Sequence, residues 1–121
     1  MRYLITLSVT QQPTTPPPAD LMAAIAKLGE EATRSGVMLD QGGLAPSAQG
    51  AKVELAGGKL TVTDGPFAEA KELISYALYQ VGSKEEAIEW TSRFIKLHRD
   101  HWAGWEGEAN LQRVFGPEDF A

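Results

Sequence analysis

An α+β fold of the ferredoxin-like, split βαβ kind is what this sequence predicts, on three observations. Two amphipathic helical segments sit among strand-like runs in the order strand, helix, strands with a hairpin, strand, helix, strand. The second helix carries an explicit start signal. Several strands are apolar on both faces, although two helices can cover only one face of a sheet.

The first run, MRYLITLSV, alternates Tyr3, Ile5, Leu7 and Val9 with Leu4, Thr6 and Ser8, as a strand does. It lacks the continuous apolar stretch and small-residue cleavage site of a signal peptide. Thr10 to Pro18 holds four prolines, which lack backbone donors and favour an exposed, extended loop. From Ala19 to Ser35, Leu21, Ile25, Leu28 and Ala32 recur at helical spacing, and Gly36 stands where a C-terminal cap is wanted. Val37–Leu44 and Ala51–Ala56 read as strands, and Gly57-Gly58 joins the latter to Lys59–Thr63 as a tight hairpin. Leu73–Val81 is an aromatic and branched strand. Ser83 followed three residues later by Glu86 is a capping box that opens a helix running to about Arg99. Glu108–Phe115 closes the chain as a strand ahead of a polar tail.

Leu73, Ala77, Tyr79 and Val81 lie on one side of their strand, and Ile74, Tyr76 and Leu78 on the other. The cheapest cover for a second apolar face is another copy of the chain, so a homodimer packed sheet to sheet is expected.

The 121 residues, 43% hydrophobic, suit one domain spanning 1–121. With 11 basic against 16 acidic residues, a net charge of -5 and no basic cluster, direct nucleic-acid binding is not expected. The absence of cysteine removes disulfides, thiolate metal sites and thiol nucleophiles. No apolar run approaches the roughly 20 residues a membrane helix needs, so a cytoplasmic protein without membrane contact is expected. The glycines form no phosphate-cradling pattern, and no cofactor is indicated.

The blocks MRYLI, GGLAPSAQGAKV, GGKLTVTDGPFAEAKELI and RVFGPEDF occur in an order that resembles the YCII-related, or DGPF-domain, family over nearly the whole chain. That resemblance implies a ferredoxin-like protomer pairing into a dimeric α+β barrel. Most members have no assigned activity; wider relatives include a dechlorinating enzyme of aromatic degradation. A His–Asp pair has been proposed as the active site in one branch, and some members lie beside sigma-factor-like genes, which suggests a transcription-linked role. The Asp of the pair falls on Asp64. Its His has no counterpart, because no histidine precedes His98. The glycine that many members place before the aromatic after Lys71-Glu72 is also missing, and the stretch from His98 to Glu108 looks like an insertion.

Asp64 is thus the candidate catalytic residue, and Asp64, Phe67, Tyr76 and Arg113 are the candidate ligand-binding residues. Each has a plainer reading. Asp64 can accept from the N–H groups of the turn it opens, with Pro66 pre-set to begin a short helix. Phe67 can anchor that turn in the core. Glu69, Lys71 and Glu72 suit a solvated face, where Lys71 can pair with an acid across the dimer. Tyr76 and Tyr79 point to opposite faces, so one of the two can line a given cleft. Arg113, among apolar neighbours, needs an anionic partner, which Asp64, a ligand carboxylate or a structural ion pair would supply. His98 and His101 stand three apart but lack a third ligand at convincing spacing, so no metal site is assigned. His98 reads as a satisfied core histidine and His101 as exposed. Trp90 reads as core, and Trp102 and Trp105 as capping one end of a dimer cleft or an intersubunit contact. The favoured expectation is a small-molecule cleft near the DGPF corner. The alternatives are an interaction or regulatory module and a lyase- or hydrolase-type enzyme.

Overall fold

Strand alternation and helical periodicity both survive into three dimensions, in a computed structural model that describes residues 1–67 and 71–120. The elements are β1 (Arg2–Val9), α1 (Ala19–Arg34), β2 (Met38–Gly43), β3 (Ala51–Ala56), β4 (Lys59–Asp64), β5 (Glu72–Gln80), α2 (Lys84–His101) and β6 (Glu108–Val114). Short 3-10 turns occupy Ser47–Gln49 and Pro117–Phe120.

Four strands form one antiparallel sheet in the order β2-β5-β1-β6. β1 and β2 both run antiparallel to β5, which lies between them. This α+β arrangement, with two helices, is compatible with a ferredoxin-like fold. β3 and β4 form a separate two-stranded hairpin whose turn, at Gly57 and Gly58, uses φ of 57° and 76°.

One sheet face makes the core. Tyr3, Ile5, Tyr79 and Val81 are buried with Val37 and Ala87, and Trp90 and Leu111 pack against them. Both helices lie over this face: Ala87 and Trp90 bring α2 onto it, and α1 buries Leu21 and Ala32. On the other face Leu4 opposes Leu78 and Thr6 opposes Tyr76, all half-buried. A register shift opposite Leu7 and Ser8 pairs Leu73 with Ser8 instead of leaving it in step with Ala77 and Tyr79. Leu73 is consequently half exposed rather than on the inner side expected from strict alternation.

The capping box forms as the sequence predicts. Ser83 Oγ accepts from the Glu86 amide at 3.1 Å, and Glu86 Oε2 accepts from the Gly82 amide at 2.9 Å. α2 then runs two residues beyond its expected end at Arg99.

Candidate functional site

The inner face of the sheet is not filled by side chains along its whole length. Between the sheet, α1 and α2 lies a cavity of about 710 Å³, within the ordinary range for small-molecule sites. Ile5, Leu7 and Ala77 form its floor and Ile25 and Leu28 of α1 one wall, with Phe94 and His98 of α2 opposite. Among the described residues, none that borders the cavity is Asp, Glu, Lys or Arg. Polar groups are few: Gln41, Ser75 and Tyr76 at the sheet, Gln12 and Thr15 in the proline-rich loop, and the rings of Tyr79 and His98. Burial raises the Tyr79 pKa, which keeps this phenol protonated and neutral.

All three tryptophans of the chain border this space. Trp90 is on α2, whereas Trp102 and Trp105 come from the loop that follows it, and local geometry explains their placement. The Trp105 amide donates to the Trp102 carbonyl at 3.1 Å, and Gly104 adopts φ of 81°, a left-handed turn that side chains resist. A Cβ on Gly107 would collide with the Trp105 ring, so this glycine lets the indole lie flat against the backbone. Trp102 and Trp105 therefore wall a cavity within the chain itself, a role the sequence did not suggest for them.

His98 sits at the aromatic end. It is 5% exposed, its ring 4.3 Å from that of Trp105 and 4.8 Å from that of Phe94, centroid to centroid. Nδ1 lies 3.0 Å from the Phe94 carbonyl oxygen. That oxygen can only accept, so Nδ1 carries the proton in the neutral ring and Nε2 is an acceptor. Burial pushes the His98 pKa below its ordinary value, and the Phe94 carbonyl opposes this with a smaller effect. Nε2 has no partner among the described residues, yet the one sealed, unpartnered polar side-chain atom there is Ser8 Oγ. His98 borders the cavity, and its Nε2 is not among the sealed, unpartnered side-chain atoms of the described residues. The sequence reading of a satisfied core histidine thus holds for one ring nitrogen and misses the other.

The four residues singled out from sequence do not converge. Tyr76 borders the cavity, although it pairs with Thr6, on the strand positions that alternate with Ile5 and Ala77. Its ring lies over Gly42, and its hydroxyl donates to Asp40 Oδ2 at 2.9 Å, which raises the phenol pKa. Arg113 donates at 2.9 Å to Asp119 in the C-terminal 3-10 turn, so its anionic partner is Asp119 rather than Asp64. Phe67 is half-buried, with the Lys52 ammonium 5.0 Å above its ring. Asp64 ends β4 opposite Ala51, is exposed, and makes no side-chain hydrogen bond among the described residues; the expected cap on its own turn is not formed there.

The work of that corner falls to its neighbours. The Gly65 amide donates to the Gly50 carbonyl at 2.9 Å, and a Cβ at Gly65 would collide with the Ser47 carbonyl. Glu72 accepts from the Ser47 amide and, at 3.0 Å, from its hydroxyl, so it braces the 47–50 loop instead of forming a solvated face. Lys71 pairs with Glu108 of the same chain. The Gly65–Pro66 peptide is cis. The short helix expected from Pro66 runs into residues 68–70, and Glu69 likewise lies outside the described residues. No group of three His, Cys, Asp or Glu side chains suited to a metal occurs among the described residues, and no helix there is long and apolar enough to cross a membrane.

A search of curated proteins found no match. Among solved structures, an amidase of the hydantoinase/carbamoylase family from Burkholderia multivorans shows 12% identity over 94% of this chain and 26% of that one. Its TM-score is 0.27, too low to carry an argument about fold or function. A family model for the YCII-related domain matches residues 1–103, and those residues hold β1 through α2, most of the cavity wall and the DGPF corner; the chain belongs to the YCII-related family.

Proposed function

We propose that this protein binds a small, uncharged organic compound in the cavity between its helices and its sheet. The observation that carries the reading is a roughly 710 Å³ space bordered by all three tryptophans and, among the described residues, by no charged side chain. An ionised ligand there would lose its hydration without gaining a counter-ion, whereas apolar and aromatic surface is favoured. Neutral aromatic compounds fit better than organic acids.

A thermal-shift panel of neutral aromatics and aromatic carboxylates, on wild type and Ile25→Trp, tests this. Ile25 faces the cavity from α1, and an indole there occupies it. Neutral aromatics at a hundredfold excess over Kd stabilise wild type by about 2.7 kcal/mol and leave the variant unshifted. No stabilisation of wild type, or equal stabilisation of both proteins, rejects the reading.

The protomer reads as a split βαβ unit that pairs into a homodimeric α+β barrel. In the hairpin, Val53 opposes Val62 and Leu55 opposes Leu60, so four apolar side chains share one face, and each is at least 63% exposed. A lone two-stranded hairpin is marginal in water, and an uncovered apolar face of this kind favours burial against a second copy. Asp64 and Phe67 stand at the base of this hairpin, so a cleft completed by the partner is the alternative position for a ligand. Asp64→Asn separates the two positions: unchanged binding places the ligand in the inner cavity.

A further inference from the structure

The cavity has a built-in polarity, set by the one ring nitrogen of His98 that has no partner among the described residues. We propose that His98 Nε2 is the anchoring acceptor of the cavity, selecting neutral aromatic compounds that carry a hydrogen-bond donor, such as a phenolic hydroxyl or a heterocyclic N–H. This rests on the cavity being the ligand site, and it deepens that reading from any neutral aromatic to a donor-bearing one.

Three features converge on His98. Its tautomer is set from behind, because the Phe94 carbonyl holds the proton on Nδ1 and leaves the Nε2 lone pair without a partner among the described residues, on a side chain that lines the cavity. Its ring packs against Phe94 and Trp105, and neither hydrogen-bonds Nε2. The surroundings are apolar, so a ligand that fills this end without donating leaves Nε2 desolvated and unpaired, which costs more than the hydrogen bond itself contributes. The site therefore discriminates against hydrocarbons of the same shape as well as in favour of donors. The asymmetry resembles that of any buried polar group matched to a ligand hydroxyl.

The test compares 2-naphthol with its shape-matched hydrocarbon 2-methylnaphthalene, by calorimetric titration of wild type, His98→Asn and His98→Phe. Asn retains a donor toward the Phe94 carbonyl but has no acceptor at the Nε2 position, its own amide oxygen lying nearer the backbone; Phe retains the aromatic packing and has no acceptor at all. Wild type is expected to bind 2-naphthol about tenfold more tightly than 2-methylnaphthalene, the worth of one buried hydrogen bond. In both variants the ratio falls to about one, while 2-methylnaphthalene binds at least as well as before. Equal binding of the two probes by wild type, or a preference that persists in a folded variant, overturns the assignment of His98 while the cavity reading stands. Binding of neither probe by wild type overturns both.

Discussion

At the scale of single residues, His98 links burial to pH. Its folded-state pKa is lowered by burial, so the unfolded chain takes up the proton first as the pH falls. The stability that neutral His98 permits is complete above the ordinary imidazole value near 6.5 and is lost as the pH drops below it. The rings of Phe94 and Trp105 face it, and no charged side chain among the described residues borders the cavity to compensate an imidazolium. Urea denaturation between pH 5 and 8 should show a steeper acid-side loss in wild type than in His98→Asn. The DGPF corner gives a contrasting pair of residues. Gly65→Ala forces a methyl group into the Ser47 carbonyl and should cost about 2 kcal/mol. Asp64→Asn, at an exposed position, should change stability by less than about 0.5 kcal/mol. Chemical denaturation of the two variants checks both values. The motif was legible as a corner because Asp, Gly and Pro are turn residues, but the identity of the indispensable member was not. Gly65 is required by a backbone 15 or more residues away in sequence, which no local pattern displays.

At the scale of elements, α2 is the best-specified part of the chain, because its start is a local hydrogen-bond exchange. Ser83→Ala removes the oxygen that accepts the Glu86 amide and should destabilise the protein by about 1 kcal/mol in thermal or urea unfolding. The segment after α2 is the opposite case. His98–Glu108 stands out in sequence as an insertion, yet its place in the cavity wall comes from where Gly104 and Gly107 send the indole rings. Helical periodicity put His98 on the inner side of α2 correctly. It could not show that packing stops short there and leaves a cavity. The hairpin β3–β4 was readable from Gly57-Gly58, and its cross-strand pairs place Val53, Leu55, Leu60 and Val62 together as period-two alternation requires.

At the scale of the whole molecule, two apolar surfaces remain to be used, one internal and one external. The internal surface is the cavity. The external one is the apolar face of the hairpin, where Val53, Leu55, Leu60 and Val62 are exposed. In sedimentation at micromolar concentration the wild type should run as a dimer. Leu55→Lys with Leu60→Lys, which places two like charges directly opposite each other on the hairpin, should shift it toward monomer. A monomeric wild type would remove the dimer and, with it, any cleft built by two copies.

The sequence by itself determined the element order, the helix start at Ser83, the turn chemistry at Gly57-Gly58 and the family, because each depends on residues within a few positions of one another or on blocks read in order. Tertiary structure decided the candidate site. Whether Nε2 of His98 is sealed or open depends on how α1, α2, the sheet and the loop at Trp102 and Trp105 leave space between them. Whether Arg113 meets Asp64 or Asp119 depends on where the C-terminal turn folds back. Those are distances between segments remote in sequence, and local residue patterns do not contain them.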